Sequence, residues 1–192
     1  MTLLNRKLLV LDLDETLVYA NEQSLQRCAD FRLGLHHVYR RPHLSRFLSF
    51  ALTTFDVGIW SAAGDRYAQE MVERIFPKGA PLCFVWSGLQ CTLSRDAQTG
   101  EFRTAKKLRR LKSKGYTLNS VIAVDDAPSV YARYFGNLVV VRKYLGAEDD
   151  RELLLLMQYL DHLSKFQNVR TVEKRYWRAE VHSGFRGTWV QG

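Results

Sequence analysis

The chain has 192 residues, 46% of them hydrophobic, which suits one domain with a sizeable core and argues against a disordered or fibrous protein. Cys28, Cys83 and Cys91 are too few, and odd in number, for a disulfide scaffold; they lack C-x-x-C pairing and read as free, mostly buried thiols of a reducing compartment. Lys and Arg number 28 against 20 Asp and Glu, a net charge of +8 that favours phosphorylated or otherwise acidic partners, while the longest apolar runs fall far short of the ~20 residues of a bilayer span.

In chain order, residues 1–7 carry no secretory pattern, so a cytoplasmic protein, or a nuclear one in a eukaryote, with no membrane partner is expected. Residues 7–13 form a near-continuous apolar run ending in acids, the pattern of a parallel strand buried on both faces. Pro42 precedes a helical pattern over 43–51, and 57–61 repeats the strand pattern. Asp65 opens a helical pattern over 67–76. Two β-prone stretches, 83–86 and 101–103, flank Asp96-Ala97-Gln98-Thr99-Gly100, which predicts a hairpin and hence a small flap at about 82–103. A helix is predicted over 106–114, within a stretch from 95 to 114 where eight basic residues meet only Asp96 and Glu101. Strands follow at 121–125 and 138–141, then a helix at 151–163. Residues 168–192 mix Tyr176, Trp177, Phe185 and Trp189 with five basic residues and show no clean period; they read as a tail that either packs back as an extended segment or stays mobile.

Strands alternating with helices imply an α/β fold, an open parallel sheet with helices on both faces. With no repeat or linker, one domain over 1–167 and the tail 168–192 are expected. Ligands in such sheets bind outside the carboxyl ends of the strands. Those ends carry Asp12 and Asp14, Ser61, and the pair Asp125-Asp126, with Lys106 at the start of a predicted helix. Asp12 and Asp14 are two apart and project to one side if the strand geometry persists. Carboxylates held together repel unless a cation sits among them, and all-oxygen donors favour Mg²⁺. Singly, each feature has a plain structural reading: a lone Asp-x-Asp is a turn, and Asp125-Asp126-Ala127-Pro128 can start a helix. His36 and His37 read as packing or surface residues, and Trp60 and Trp86 as core, with Trp86 alternatively lining a pocket in the flap. Arg41 either reaches an acidic partner or fixes the chain before its helix.

Together the residues carry a pattern. Asp12-Leu13-Asp14-Glu15-Thr16-Leu17 resembles the D-x-D-x-T signature of haloacid dehalogenase superfamily phosphotransferases. Within that superfamily the chain is similar to the small phosphatases of the RNA polymerase II C-terminal domain, the NLI-interacting-factor-like family. The similarity runs from 7 to 163 through Arg41-Pro42, Ser61, Lys106 with Leu108, and 124–128. Ala127, Asp126 and Lys107 depart from the family's usual Ser, frequent Asn and usual acidic residue. The resemblance implies a Rossmann-like fold and a hydrolase in which Asp12 is the nucleophile and forms an aspartyl phosphate, while Asp14 is the general acid and then the base. It further implies phosphate-site roles for Thr16, which steadies the loop, Ser61 and Lys106. Mg²⁺ would be held by Asp12, the Asp14 main-chain carbonyl and the Asp125-Asp126 pair, with Asp126 the direct ligand.

Relatives that act on metabolites close the site with a large cap, and here 17–55 and 62–105 leave little chain for one. The expected partner is therefore a phosphorylated protein or peptide, met by a monomer. A nucleic-acid 3′-end phosphatase is the alternative, and a non-catalytic module on the same fold is a third reading, against which the chain keeps the nucleophile, acid and metal-ligand positions.

Overall fold

The computed structural model describes residues 6–95, 100 and 102–186. Every side chain of β1 (Leu8–Leu11) is buried, so this strand is apolar on both faces and takes the centre of the sheet. After it come β2 (Val18–Asn21), β3 (Phe31–Leu33) and β4 (His36–Arg40), which form a separate antiparallel sheet in the order β2-β4-β3. Helix α1 (Leu44–Thr54) leads to β5 (Asp56–Trp60), and α2 (Asp65–Ile75) leads to β6 (Leu82–Trp86). A hairpin of β7 (Thr92–Arg95) and β8 (Phe102–Ala105) precedes β9 (Val121–Asp125) and β10 (Leu138–Val140). Helix α3 (Glu152–Ser164) and the short α4 (Trp177–His182) follow. The central sheet runs β10-β9-β1-β5-β6, all neighbours parallel.

Strand alternation divides the core. Leu9, Leu11, Val57, Ile59, Ile122 and Val124 face the apolar sides of α1, α2 and α3. On the other face, Leu8, Val10, Trp60 and Ala123 meet Leu108, Leu111, Tyr131 and Tyr134. The second cover is built of 3-10 turns: the helix predicted over 106–114 is a 3-10 helix, Leu108–Lys114, ended by Gly115 at φ 85°.

Two other expectations are corrected. Leu82–Trp86, read as part of the flap, is the edge strand of the central sheet, and Trp86 packs edge-on against Trp60 at 4.8 Å between centroids. The flap is only the β7–β8 hairpin; most of the turn expected at 96–100 lies outside the described residues, although Arg95 Nε donates to Gly100 O at 3.0 Å. Residues 168–186 fold back as a 3-10 turn and α4, because Trp177 has a seat: it is buried beside Tyr159, and its Nε1 donates to Val140 O at 2.9 Å. Trp189 lies outside the described residues. The three cysteines are free but not buried as expected: Cys28 and Cys83 are exposed and Cys91 is half-buried. Among the described residues no helix is long and apolar enough to cross a membrane.

Candidate active site

Strand β1 hands its chain to Asp12 with the ladder still intact, since Asp12 N donates to Val124 O at 3.1 Å. Beyond it the backbone closes tightly on itself: Thr16, Leu17 and Val18 N–H groups all converge on Leu13 O, at 3.3, 2.8 and 3.1 Å. Glu15 takes the left-handed conformation, φ 57°, to make that closure. Leu13 is buried beneath, so Asp12 and Asp14 both face one cavity of about 590 Å³, as their spacing predicts. Buried Arg41 locks the loop from behind: its guanidinium donates to Thr16 O at 2.9 Å, Arg142 O at 2.9 Å and both carboxylate oxygens of Asp150 at 2.9 and 2.8 Å. Of the two readings of Arg41, the acidic partner is thus found within the chain.

Lys106 leaves the end of β8, its N–H held by Val130 O at 2.9 Å, and is 1% exposed. Its ammonium donates to Asp12 Oδ1 and to Asp125 Oδ2, both at 2.6 Å. Burial alone would lower the lysine pKa, but the charge of Asp12 leads a set of interactions that outweigh it, and Lys106 is held well above its ordinary value. Burial pushes the Asp12 carboxyl well above the usual range, against the pull of Lys106 and with the help of Asp125.

The strand-end acids of β9 are tied differently. Asp125 uses its other oxygen to accept from Ala127 N at 2.8 Å, and Pro128 then opens a 3-10 turn, Pro128–Tyr131, so the helix-start reading of this motif and its functional reading hold together. Asp126 accepts from Thr16 Oγ1 at 3.2 Å and pairs with Lys143 at 3.5 Å. Thr16 is fully buried and its hydroxyl is spent on Asp126, which seats it behind that carboxylate and off the cavity wall. Ser61 lines the cavity; its Oγ accepts from Ala63 N at 3.0 Å, and its own proton has no acceptor among the described residues.

Oxygens of Asp12, Asp125 and Asp126 lie within 4.8 Å of one another. Three hard donors, with the buried Lys106 balancing only part of their charge, fit a hard divalent cation. Asp14 adds no carboxylate oxygen to that cluster. Its Oδ1 instead accepts from Tyr67 OH at 2.5 Å, and its carboxyl is raised by burial despite that hydrogen bond.

Four cavity residues had no signal in the sequence. Tyr67 comes from the first turns of α2, six residues after Ser61, a spacing that carries no rule of its own. His36 lies at the start of β4, edge-on to Tyr67 at 5.9 Å. Glu15 and Lys143 form an ion pair at the rim.

The family model of the NLI interacting factor-like phosphatases matches residues 7–170, a span that holds every one of these side chains. The chain belongs to that family. Among NLI interacting factor-like proteins, the "Probable C-terminal domain small phosphatase" of Dictyostelium discoideum is 29% identical over 174 residues, covering 86% of this chain and 53% of that protein. The "CTD small phosphatase-like protein" of Homo sapiens is 29% identical over 178 residues, covering 88% of this chain and 60% of that protein. The chain thus spans little more than half the length of these relatives. Among solved structures, the fission yeast RNA polymerase II CTD phosphatase Fcp1 bound to beryllium fluoride superposes with a TM-score of 0.64 at 16% identity, covering 96% of this chain and 68% of that one. This last likeness speaks for the fold.

Proposed function

We propose that the chain is a Mg²⁺-dependent phosphatase that removes phosphate from phosphoserine or phosphothreonine on a protein. The observation that carries the reading is Lys106, buried and bridging Asp12 and Asp125 at the carboxyl ends of β1 and β9, with Asp126 beside them. Asp12 attacks phosphorus in line, forming an acyl phosphate as the bond to the serine or threonine oxygen breaks. Asp14, oriented by Tyr67, gives its proton to that leaving oxygen. It then takes a proton from the water that hydrolyses the acyl phosphate and restores Asp12. Ser61 donates to a phosphoryl oxygen, and Lys106 offsets charge on the transferring group. Asp12, Asp126 and the Asp14 main-chain carbonyl, with Asp125 behind them, would hold Mg²⁺, which would supply further neutralisation of phosphoryl charge. Asp126 is favoured over Asp125 as the direct ligand because Asp125 is held by close hydrogen bonds from Lys106 and Ala127, at 2.6 and 2.8 Å, whereas the contacts of Asp126 with Thr16 and Lys143 are longer, at 3.2 and 3.5 Å.

The substrate class rests on the absence of a large cap among the described residues. The only insertions are the small β2-β4-β3 sheet and the β7–β8 hairpin, which leave the cavity open to a residue displayed on a macromolecule. The deciding experiment is a panel of phosphoserine and phosphothreonine peptides, 3′-phosphorylated oligonucleotides and sugar phosphates, with and without Mg²⁺. Metal-dependent turnover confined to the peptides is expected. Turnover of the sugar phosphates alone, or of the oligonucleotides with a steep fall in salt, overturns the protein-substrate reading. Beryllium fluoride with Mg²⁺ is expected to bind at Asp12 as a mimic of the acyl phosphate, and failure to bind overturns covalent catalysis.

A further inference from the structure

A second cavity, also of about 590 Å³, opens along the outer side of β10, between the 3-10 turn Phe135–Asn137 and the returning segment 170–178. One wall is apolar: Leu138, Val140 and Phe135, the last 60% exposed. The other is basic, and its cations differ in how they are partnered. Arg178 is committed to Glu152 and to Val140 O, and Arg175 to Glu173, the one acid of the lining. Neither Lys174 nor Arg170 makes an ion pair among the described residues, although Glu173 and Glu180 act on Lys174 from beyond contact. Lys174 is 6% exposed, yet its ammonium donates only to the main-chain oxygens of Val169 and Val172. The guanidinium of Arg170 is exposed and has no hydrogen-bond or ion-pair partner among the described residues.

A buried ammonium whose direct contacts are carbonyl oxygens has lost its water without gaining a carboxylate in contact, and the two acids nearby do not offset that burial. Burial accordingly pushes Lys174 down to about 8. An anionic group entering the cavity supplies the missing charge to Lys174 and Arg170 together. The apolar wall selects further: it offers area to an apolar side chain next to the anion and offers little to a ligand charged at every unit.

We propose that this cavity docks an acidic, extended segment of the phosphoprotein substrate. The proposal rests on the phosphatase reading above for the identity of the partner. Its geometry is that of the sheet: Val140 pairs with Asp125, so β10, which lines the cavity, lies one strand spacing, about 4.8 Å, from the strand that delivers Asp125 to the catalytic cavity. A peptide with an acidic tract a few residues from its phosphorylated residue reaches both.

The test has two arms. In the first, a fluorescein-labelled peptide of alternating Glu and Leu without phosphate is titrated with the protein and read by fluorescence anisotropy. Binding is expected, weakened at least tenfold by Arg170→Glu or Arg175→Glu and unchanged by Lys78→Glu, an exposed cation outside the lining. Equal weakening by all three, no binding, or tighter binding of a single-stranded RNA of equal charge overturns the acidic-peptide site. In the second arm, a short phosphopeptide is compared with the same peptide extended by the acidic tract. Arg170→Glu is expected to raise KM five- to tenfold for the extended substrate only, with kcat unchanged. Equal effects on both substrates, or none, overturn the link to substrate. Failure of the phosphatase reading shows separately, as absence of wild-type turnover of the short peptide, and leaves the anisotropy arm to decide the site by itself.

Discussion

Lys106 holds one positive charge between two carboxylates in a place nearly sealed from water; of the two, Asp12 carries the charge proposed to attack phosphorus, and the pull of Lys106 opposes the burial that raises its carboxyl. Asp12→Asn preserves shape and removes that charge, so turnover of a phosphopeptide is expected to fall by roughly 10⁴-fold or more, with the thermal midpoint close to wild type. Kinetics and a melting curve on the same preparation check both halves. Lys143 acts at the rim. It is 58% exposed and shared between Glu15 and Asp126, where it competes with any cation for the Asp126 carboxylate. An exposed pair of this kind is worth about 0.2–1 kcal/mol. Lys143→Gln is therefore expected to tighten Mg²⁺ binding by about two- to fivefold in calorimetric titration, and the gain should vanish in an Asp126→Asn background. The strand-end residues Asp12, Asp14, Ser61, Asp125 and Asp126 were legible in the sequence because each follows directly from an apolar strand whose end is local information. Tyr67, His36 and Lys143 were not. They reach the cavity from a helix, a hairpin and a post-strand loop whose positions are set by packing with elements far along the chain.

At the scale of elements, the misread pieces share one cause: short segments whose neighbours, not their own pattern, decide their form. Leu82–Trp86 is as unbroken an apolar run as β1, but it sits at the sheet edge with Cys83 exposed and only Phe84 buried, and nothing in its own pattern separates an edge strand of the central sheet from a strand of the hairpin beside it. Leu108 and Leu111, three apart, satisfy a 3-10 turn as well as an α-helix, and Gly115 removes the next apolar position that would have separated them. The same edge strand feeds the turn that supports Ser61. Gly88 N donates to Ala63 O at 2.7 Å, and a Cβ on Gly88 would stand 2.7 Å from Ala62 O, a backbone atom that must then move. Gly88→Ala is expected to cost about 1–3 kcal/mol of stability. It should also lower kcat/KM tenfold or more, because the displaced loop carries the Ser61 hydroxyl. Urea unfolding and phosphopeptide kinetics read the two effects, and a stability loss with unchanged kinetics would refute the coupling between turn and site.

For the whole molecule, the returning segment ties stability to pH through one buried cation. Glu173 and Glu180 favour the charge of Lys174; burial, aided by Arg170, outweighs them and sets its folded pKa at about 8 against 10.5 for the free side chain. Between these values the unfolded chain binds more protons than the folded one, so stability rises with pH in this window. The contribution is fully unfavourable below pH 8 and is relieved as pH climbs toward 10.5. From pH 8 to 10 the gain is about 2 kcal/mol. Other groups titrate here in the opposite sense, Cys91 among them, since burial raises its thiol and costs stability as pH increases. A variant is therefore needed to isolate the lysine. Lys174→Met removes the titrating group and leaves Cys91 in place, so the wild type should gain on the variant by about 2 kcal/mol across pH 8 to 10 in urea unfolding. Parallel curves would mean that the ammonium is not desolvated in the folded chain, and the anion site would be left to rest on Arg170 and the shape of the cavity.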